Sequence, residues 1–159
     1  MASDIKIIWN DIYQEGDIKY DNGDLVREEG LETAVLMSLY TDQRADVDDP
    51  LPDPNSEDRR GWWGDQISDF EDDKIGSKLW LLERSSTKET VLTDVKFYIE
   101  QALQWMIDDG VAQEIDVTTE RWNRKDGSAT LAVQIEIKQS SGGVTAIKFD
   151  DLWKVQIAS

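Results

Sequence analysis

The sequence predicts an α+β fold, and three observations carry that reading. A long amphipathic stripe runs through residues 87–109 and stops at Gly110. A strict apolar alternation follows at Leu131, Val133, Ile135 and Ile137. Turn signals at Asp126-Gly127 and Ser140-Ser141-Gly142-Gly143 flank that alternation. A period near 3.6 makes the first segment a helix, and a period of two makes the second a strand. A core helix packed on an antiparallel sheet is the economical way to cover both apolar faces.

The elements follow in order. Residues 4–9 (Asp-Ile-Lys-Ile-Ile-Trp) read as a short strand with Ile5, Ile7 and Trp9 on one face. Ile18 and Tyr20 lead into Asp21-Asn22-Gly23, a strong turn signal, and Leu25 and Val26 return. Residues 1–29 are therefore an N-terminal strand and β-hairpin. Residues 30–41 read as a shorter helix. Leu31, Ala34, Val35, Ser38 and Leu39 form its stripe, and Glu28, Glu29 and Glu32 suit the positive end of its dipole.

Residues 42–73 form a long acidic loop. They hold all three prolines, Pro50, Pro52 and Pro54, with twelve acids against three arginines. For residues 43–58 two readings stand side by side: a solvated, partly mobile loop, or a segment that orders on a basic partner. The loop closes on Arg59-Arg60-Gly61-Trp62-Trp63-Gly64-Asp65. Each Trp can remove on the order of 200 Å² from water, worth roughly 3–5 kcal/mol. At least one of Trp62 and Trp63 is expected to be buried and to anchor the loop to the body. Trp80 lies in a further apolar burst, residues 76–84, where Ser77 is a candidate helix cap.

The core helix opens on Ser86-x-x-Glu89, a capping-box pattern. Its stripe is Val91, Leu92, Val95, Ile99, Ala102, Leu103 and Met106, widened by Tyr98 and Trp105, with Gly110 as the residue after the C-cap. Beyond it, Ile115, Val117 and Thr119 alternate with acids. Residues 144–149 and 152–157 supply one or two strands after Ile137, giving a C-terminal β-meander. The whole chain, 1–159, is read as one domain.

Composition narrows the chemistry. The 159 residues carry 34 acids and 17 bases, a formal charge of −17, with no His and no Cys. Such a polyanion repels nucleic acid and anionic membranes, so contacting partners are neutral or basic. No apolar run approaches the ~18 residues of a membrane span, and Met1-Ala2-Ser3-Asp4 shows no secretory pattern. Without His or Cys there is no Ser-His or Cys-His nucleophile and no thiolate or imidazole metal site. No cofactor and no metal are expected. Asp46, Asp48, Asp49 and Asp53 are dense in carboxylates but lack the Gly and Glu positions of a calcium loop. Asp65 and Glu83 are the acid pair that a carboxylate-based cell-wall hydrolase would need, and among so many acids some pair always looks plausible. Arg44, Arg59, Arg60 and Arg84 either neutralise the loop from within or reach a partner's carboxylates.

Four runs carry a resemblance to a family. They are Thr41-Asp42-Gln43-Arg44-Ala45, Arg60-Gly61-Trp62-Trp63-Gly64-Asp65, Gly76-Ser77-Lys78-Leu79-Trp80-Leu81-Leu82 and the helix segment from Ala102 to Ala112. In that order they resemble the tail baseplate proteins of bacteriophage Mu and related prophages, over about Leu31 to Ile137. That family is similar in turn to the small wedge proteins of contractile injection machines. The resemblance implies a non-enzymatic structural protein of the virion tail baseplate, assembled in the host cytoplasm. It implies six copies around the hub, joined to wedge, hub and sheath proteins, with a monomer possible in isolation. The interaction motif would comprise Thr41, Asp42, Arg44, Arg59, Arg60, Gly61, Trp62, Trp63, Gly64, Asp65, Trp80 and Arg84. The alternatives are a lysozyme-like tail hydrolase and a generic acidic adaptor for a basic protein.

Overall fold

The computed structural model of the chain describes residues 4–10, 15–28, 31–66, 74–84, 89–123, 125–127 and 129–149. The Ser86 capping box and the 152–157 strand lie outside the described residues, as does the side chain of Trp9.

The centre of the fold is the packing of one helix on one sheet. Helix α2 (Glu89–Asp108) is preceded in the chain by helix α1 (Glu32–Tyr40). Beyond α2, Gly110 takes φ +71°, the left-handed conformation that lets a helix stop without a Cβ clash. Strands β7 (Ala112–Asn123), β8 (Ala129–Gln139) and β9 (Val144–Phe149) then form an antiparallel meander in that order. Val117 lies opposite Ile135, and Ile135 opposite Ile147, which puts one apolar set on the face beneath α2. Gly127 and Gly142, both at positive φ, carry the two turns.

The expected stripe of α2 is the buried one. Val95, Ile99, Leu103 and Met106 have no measurable exposure, and they join Val117, Ile135 and Ile137 of the sheet and Val35 and Leu39 of α1 in a single cluster. Each such side chain contributes about 1.5–3 kcal/mol on burial, so this seam outweighs every polar contact described below. Trp105 does not enter the core. It stays partly exposed and donates from Nε1 to Ser38 Oγ of α1 at 3.1 Å.

The N-terminal segment is a branched ribbon, lettered here as β1 (Asp4–Ile5), β2 (Ile7–Asn10), β3 (Glu15–Ile18), β4 (Tyr20–Asp21), β5 (Asp24–Leu25) and β6 (Arg27–Glu28). The expected hairpin is β4–β5, turning through Asn22 and Gly23 at φ 49° and 86°, the paired positive values of a type I′ turn. A second hairpin, β2–β3, branches from the same root, where β1 pairs with β6. The root is tied to α1. Ile7 N–H donates to Thr33 Oγ1, Thr33 donates to Ile5 O, and Lys6 Nζ meets Glu32 at 2.7 Å. Among the described residues no helix is long and apolar enough to cross a membrane.

Candidate functional site

The long loop leaves and rejoins the body at a narrow neck. Asp42 and Ser77 form a parallel bridge: Gln43 N–H donates to Ser77 O, and Ser77 N–H donates to Thr41 O. The strands approach so closely that a Cβ at Gly76, which has φ +111°, would lie 2.4 Å from Thr41 O. Ser77 is buried and donates its hydroxyl to Leu39 O at 2.6 Å. It therefore pins the neck to the end of α1; its contact with Leu79 N–H, at 3.4 Å, is long for a cap. The 3-10 turn Leu79–Leu82 follows, wholly buried, and the Trp80 indole donates to Gln43 O at 2.8 Å.

Arg60 holds the far side of the loop. It sits in the left-handed region at φ 49°, which costs a non-glycine residue about 1–2 kcal/mol. Its contacts offset that cost. Its N–H donates to Asp58 Oδ1 at 2.9 Å, and its guanidinium lies 4.6 Å from the centroid of the Trp80 ring. Nη1 donates to Asp42 Oδ2 and Glu83 Oε1, and Nη2 to Glu83 Oε2, at 2.9–3.0 Å. A bidentate carboxylate pair and a cation–π contact are each worth about 0.5–1 kcal/mol at this partial exposure. The Glu83 bonds, outweighing the cost of burial, hold the Arg60 pKa above its ordinary value. Asp42 is raised instead, because burial outweighs the pull of Arg60 and Glu83 adds a like charge. Gly61 then lets the chain pass Arg44, whose Cβ would stand 2.8 Å from a Cβ at that position. Arg44 donates to Arg60 O.

The acidic stretch between these points is largely exposed to solvent but is bonded to the body at several places. Lys78 is only 7% exposed, and its ammonium bonds Asp46 at 2.6 Å and Asp49 at 2.7 Å. Burial alone would lower the Lys78 pKa, but the two carboxylates outweigh it and raise it. The hydrogen bond from Lys78 in turn lowers that of Asp46. Arg59 donates to the carbonyls of Asp46 and Val47, and Ala45 N–H donates to Arg59 O. Ala45 is buried with Trp80 and Leu81, and Leu51 packs on that small cluster. Arg84 approaches Asp53 at 3.7 Å from an exposed position. Of the four arginines, Arg60 pairs with Asp42 and Glu83 and Arg84 approaches Asp53, while Arg44 and Arg59 bond backbone carbonyls. Among the described residues no group of three or more acids is arranged to hold a metal, and a lysine ammonium occupies the space between Asp46 and Asp49.

The tryptophan pair overturns one expectation. Trp63 is 69% exposed and Trp62 38%, so neither is the buried anchor predicted for it. The ring of Trp62 folds back over Gly64, where a Cβ would fall 2.0 Å from the ring. That fold turns the pair outward, with ring centroids 5.5 Å apart, above the 3-10 turn Trp63–Gln66. Asp65 accepts from Ile75 N–H at 3.3 Å and ties the display to the returning chain. The anchor is Trp80. Trp62, partly exposed over Gly64, and the more exposed Trp63 lie at the outer end of the loop.

Thr41, Asp42, Arg44, Arg60, Gly61 and Trp80 therefore meet around one neck, with Arg59 bracing the loop beside it. Trp62 and Trp63 form a separate exposed knuckle over buried Gly64 and half-buried Asp65, and Arg84 is exposed beside Asp53. Sequence reasoning missed Lys78 as a clamp. The sequence offers only a lysine ahead of the apolar burst Leu79 to Leu82, which does not name its partners. Both oxygens of Glu83 accept from Arg60, and Asp65 accepts from the Ile75 amide.

Comparison with known proteins bears on this arrangement. Residues 31–144 match the family described as phage protein GP46. The chain belongs to that family. It is 42% identical over 147 residues to a protein of Escherichia phage Mu named baseplate protein gp46, covering 92% of this chain and 94% of the relative. It is 38% identical over 116 residues to the Mu-like prophage FluMu protein gp46 of Haemophilus influenzae, covering 72% and 74%. The family match begins at Leu31, spans the neck, the clamp and the tryptophan knuckle, and leaves the N-terminal ribbon outside.

Proposed function

We propose that this chain is a baseplate protein of a Mu-like phage tail that acts by docking, without catalysis. The observation that carries the reading is near-full-length similarity to a protein named for that role. The knuckle gives the docking a physical basis. Trp is enriched at interface hot spots, and a side chain held ready before contact loses less freedom on binding. Arg60, Lys78 and Arg59 brace the loop, so the Trp62–Trp63 pair is presented as a rigid apolar surface to a neighbouring wedge, hub or sheath protein. Six copies around a central hub, made in the host cytoplasm and retained in the virion tail, complete the proposal.

The test replaces the resident copy in an inducible Mu-like prophage with this chain, wild type or Trp63→Ala. Purified tails are then quantified by mass spectrometry against another tail protein. Wild type in the tails, at six copies, with loss of the Trp63 variant is the expected result. Tails that contain none of the wild-type chain, or peptidoglycan turnover by the purified protein, would overturn the reading.

A further inference from the structure

The N-terminal ribbon has a fixed root and an uncovered tip. Its root is bonded to α1 through Thr33 and Glu32, and Ile7 packs on the main core. Every residue from Gly16 to Leu25 is exposed nonetheless. A two-stranded hairpin standing alone in water is marginal and needs a further strand or a packing surface. This one carries large apolar side chains into solvent. Tyr20, 65% exposed, and Leu25, 38%, lie directly opposite each other and therefore share a face, with Ile18 two residues before Tyr20. Scattered apolar residues on a surface are ordinary, but several together on an otherwise unsupported ribbon mark an interaction surface.

The charges specify the occupant. Residues 16–25 contain Asp17, Asp21 and Asp24 against Lys19 alone. Asp21 and Asp24 are directly opposed across the hairpin, a like-charge pair that destabilises it. A cation brought to the tip would relieve that repulsion. A second copy of this chain, itself at −17, brings more repulsion.

We propose that the tip of this ribbon, with Tyr20 and Leu25 as its apolar contacts and Asp21 and Asp24 as its charged ones, docks into an apolar groove rimmed by Lys or Arg on a different protein of the tail. This surface is separate from the tryptophan knuckle, and the proposal rests on the baseplate reading for its setting. The root fixes the direction of the ribbon, so docking orders a short tip rather than a long tail. Desolvating Tyr20 and Leu25 supplies affinity, and the aspartates supply steering and selectivity.

The experiment uses the full chain in the same prophage. Tyr20→Ser/Leu25→Ser is compared with wild type, and in a parallel chain a photocrosslinking benzoylphenylalanine replaces Tyr20. The double variant should keep the wild-type circular dichroism and melting temperature, because both side chains are exposed. Its incorporation into tails should fall by about tenfold or more. The cross-link should map to another tail protein, at apolar residues flanked by Lys or Arg. Two results overturn the proposal while leaving the baseplate reading intact: normal incorporation of the double variant, or a cross-link to a second copy or to no protein in tails that contain the chain. Tails lacking the wild-type chain overturn both. Should the double variant fail to fold, the cross-link alone decides.

Discussion

Replacing Lys78 by Met tests the clamp most directly. The methionine keeps most of the apolar stem and removes the ammonium, leaving Asp46 and Asp49 facing each other without it. Asp46 is largely exposed, so its share is screened by solvent and is left out of the sum. The Asp49 side chain is 22% exposed and bonds Lys78 at 2.7 Å. A charged hydrogen bond at that burial is worth ~2 kcal/mol, which for a chain of this length is a fall of roughly 4–8 °C in melting temperature. Urea unfolding of wild type, Lys78→Met, Asp49→Asn and the double variant completes a thermodynamic cycle. The single variants should each destabilise, and Asp49→Asn should be neutral or stabilising once Lys78 is gone. The Lys78 pKa is raised on folding, so its contribution is complete below the unfolded value near 10.4 and fades as pH rises through the folded value. The difference between wild type and Lys78→Met should therefore hold steady from neutral pH to about 9 and shrink above about 10. A Lys78→Met stability within ~0.5 kcal/mol of wild type, or additive changes in the cycle, would refute the clamp.

Three other outcomes follow from the same geometry. Gly76→Ala forces a Cβ against Thr41 O at a positive φ, and should cost about 2–4 kcal/mol in denaturant unfolding. Trp63→Ala should leave unfolding stability within ~0.5 kcal/mol of wild type, as an exposed side chain does, while removing the chain from tails. Asp42 has a raised pKa in the folded chain, so its folded form takes up a proton first. Stability of wild type relative to Asp42→Asn should rise as pH falls through the raised folded value toward the ordinary carboxylate value of 3.8, read from the pH dependence of urea unfolding.

The parts legible in the sequence were those set by local period. The stripe from Val91 to Met106 and the alternation from Leu131 to Ile137 each name their own inward face, and both are buried apart from half-buried Leu92 and Tyr98 and partly exposed Trp105. The Asn22-Gly23 turn was equally local. The second hairpin was not, because pairing Ile7–Asn10 with Glu15–Ile18 depends on which strand competes for the edge. At the site, the burial of Trp62 and Trp63 was misread. Two adjacent tryptophans state how much area is available, not where it goes. Gly64 is needed because a ring lies on it, a reason that a turn residue does not announce. Lys78 was invisible as a clamp because its partners stand 29 and 32 positions earlier in the chain. Glu83 likewise became a partner of Arg60 only through the neck.

That neck sets how the protein can diverge. Thr41 O and Gln43 N–H bond the backbone of Ser77, with Gly76 permitting the approach, and Ser77 is fastened to the end of α1. Lengthening a loop closed in this way is cheap, at about 0.6 kcal/mol for each doubling. The excursion is therefore a cassette: provided that the partners of Lys78, Trp80 and Glu83 are kept, the rest can be lengthened, shortened or exchanged to meet a different neighbour. Grafting the corresponding segment of a relative between Thr41 and Ser77 is the natural way to transfer an assembly partner from one tail to another.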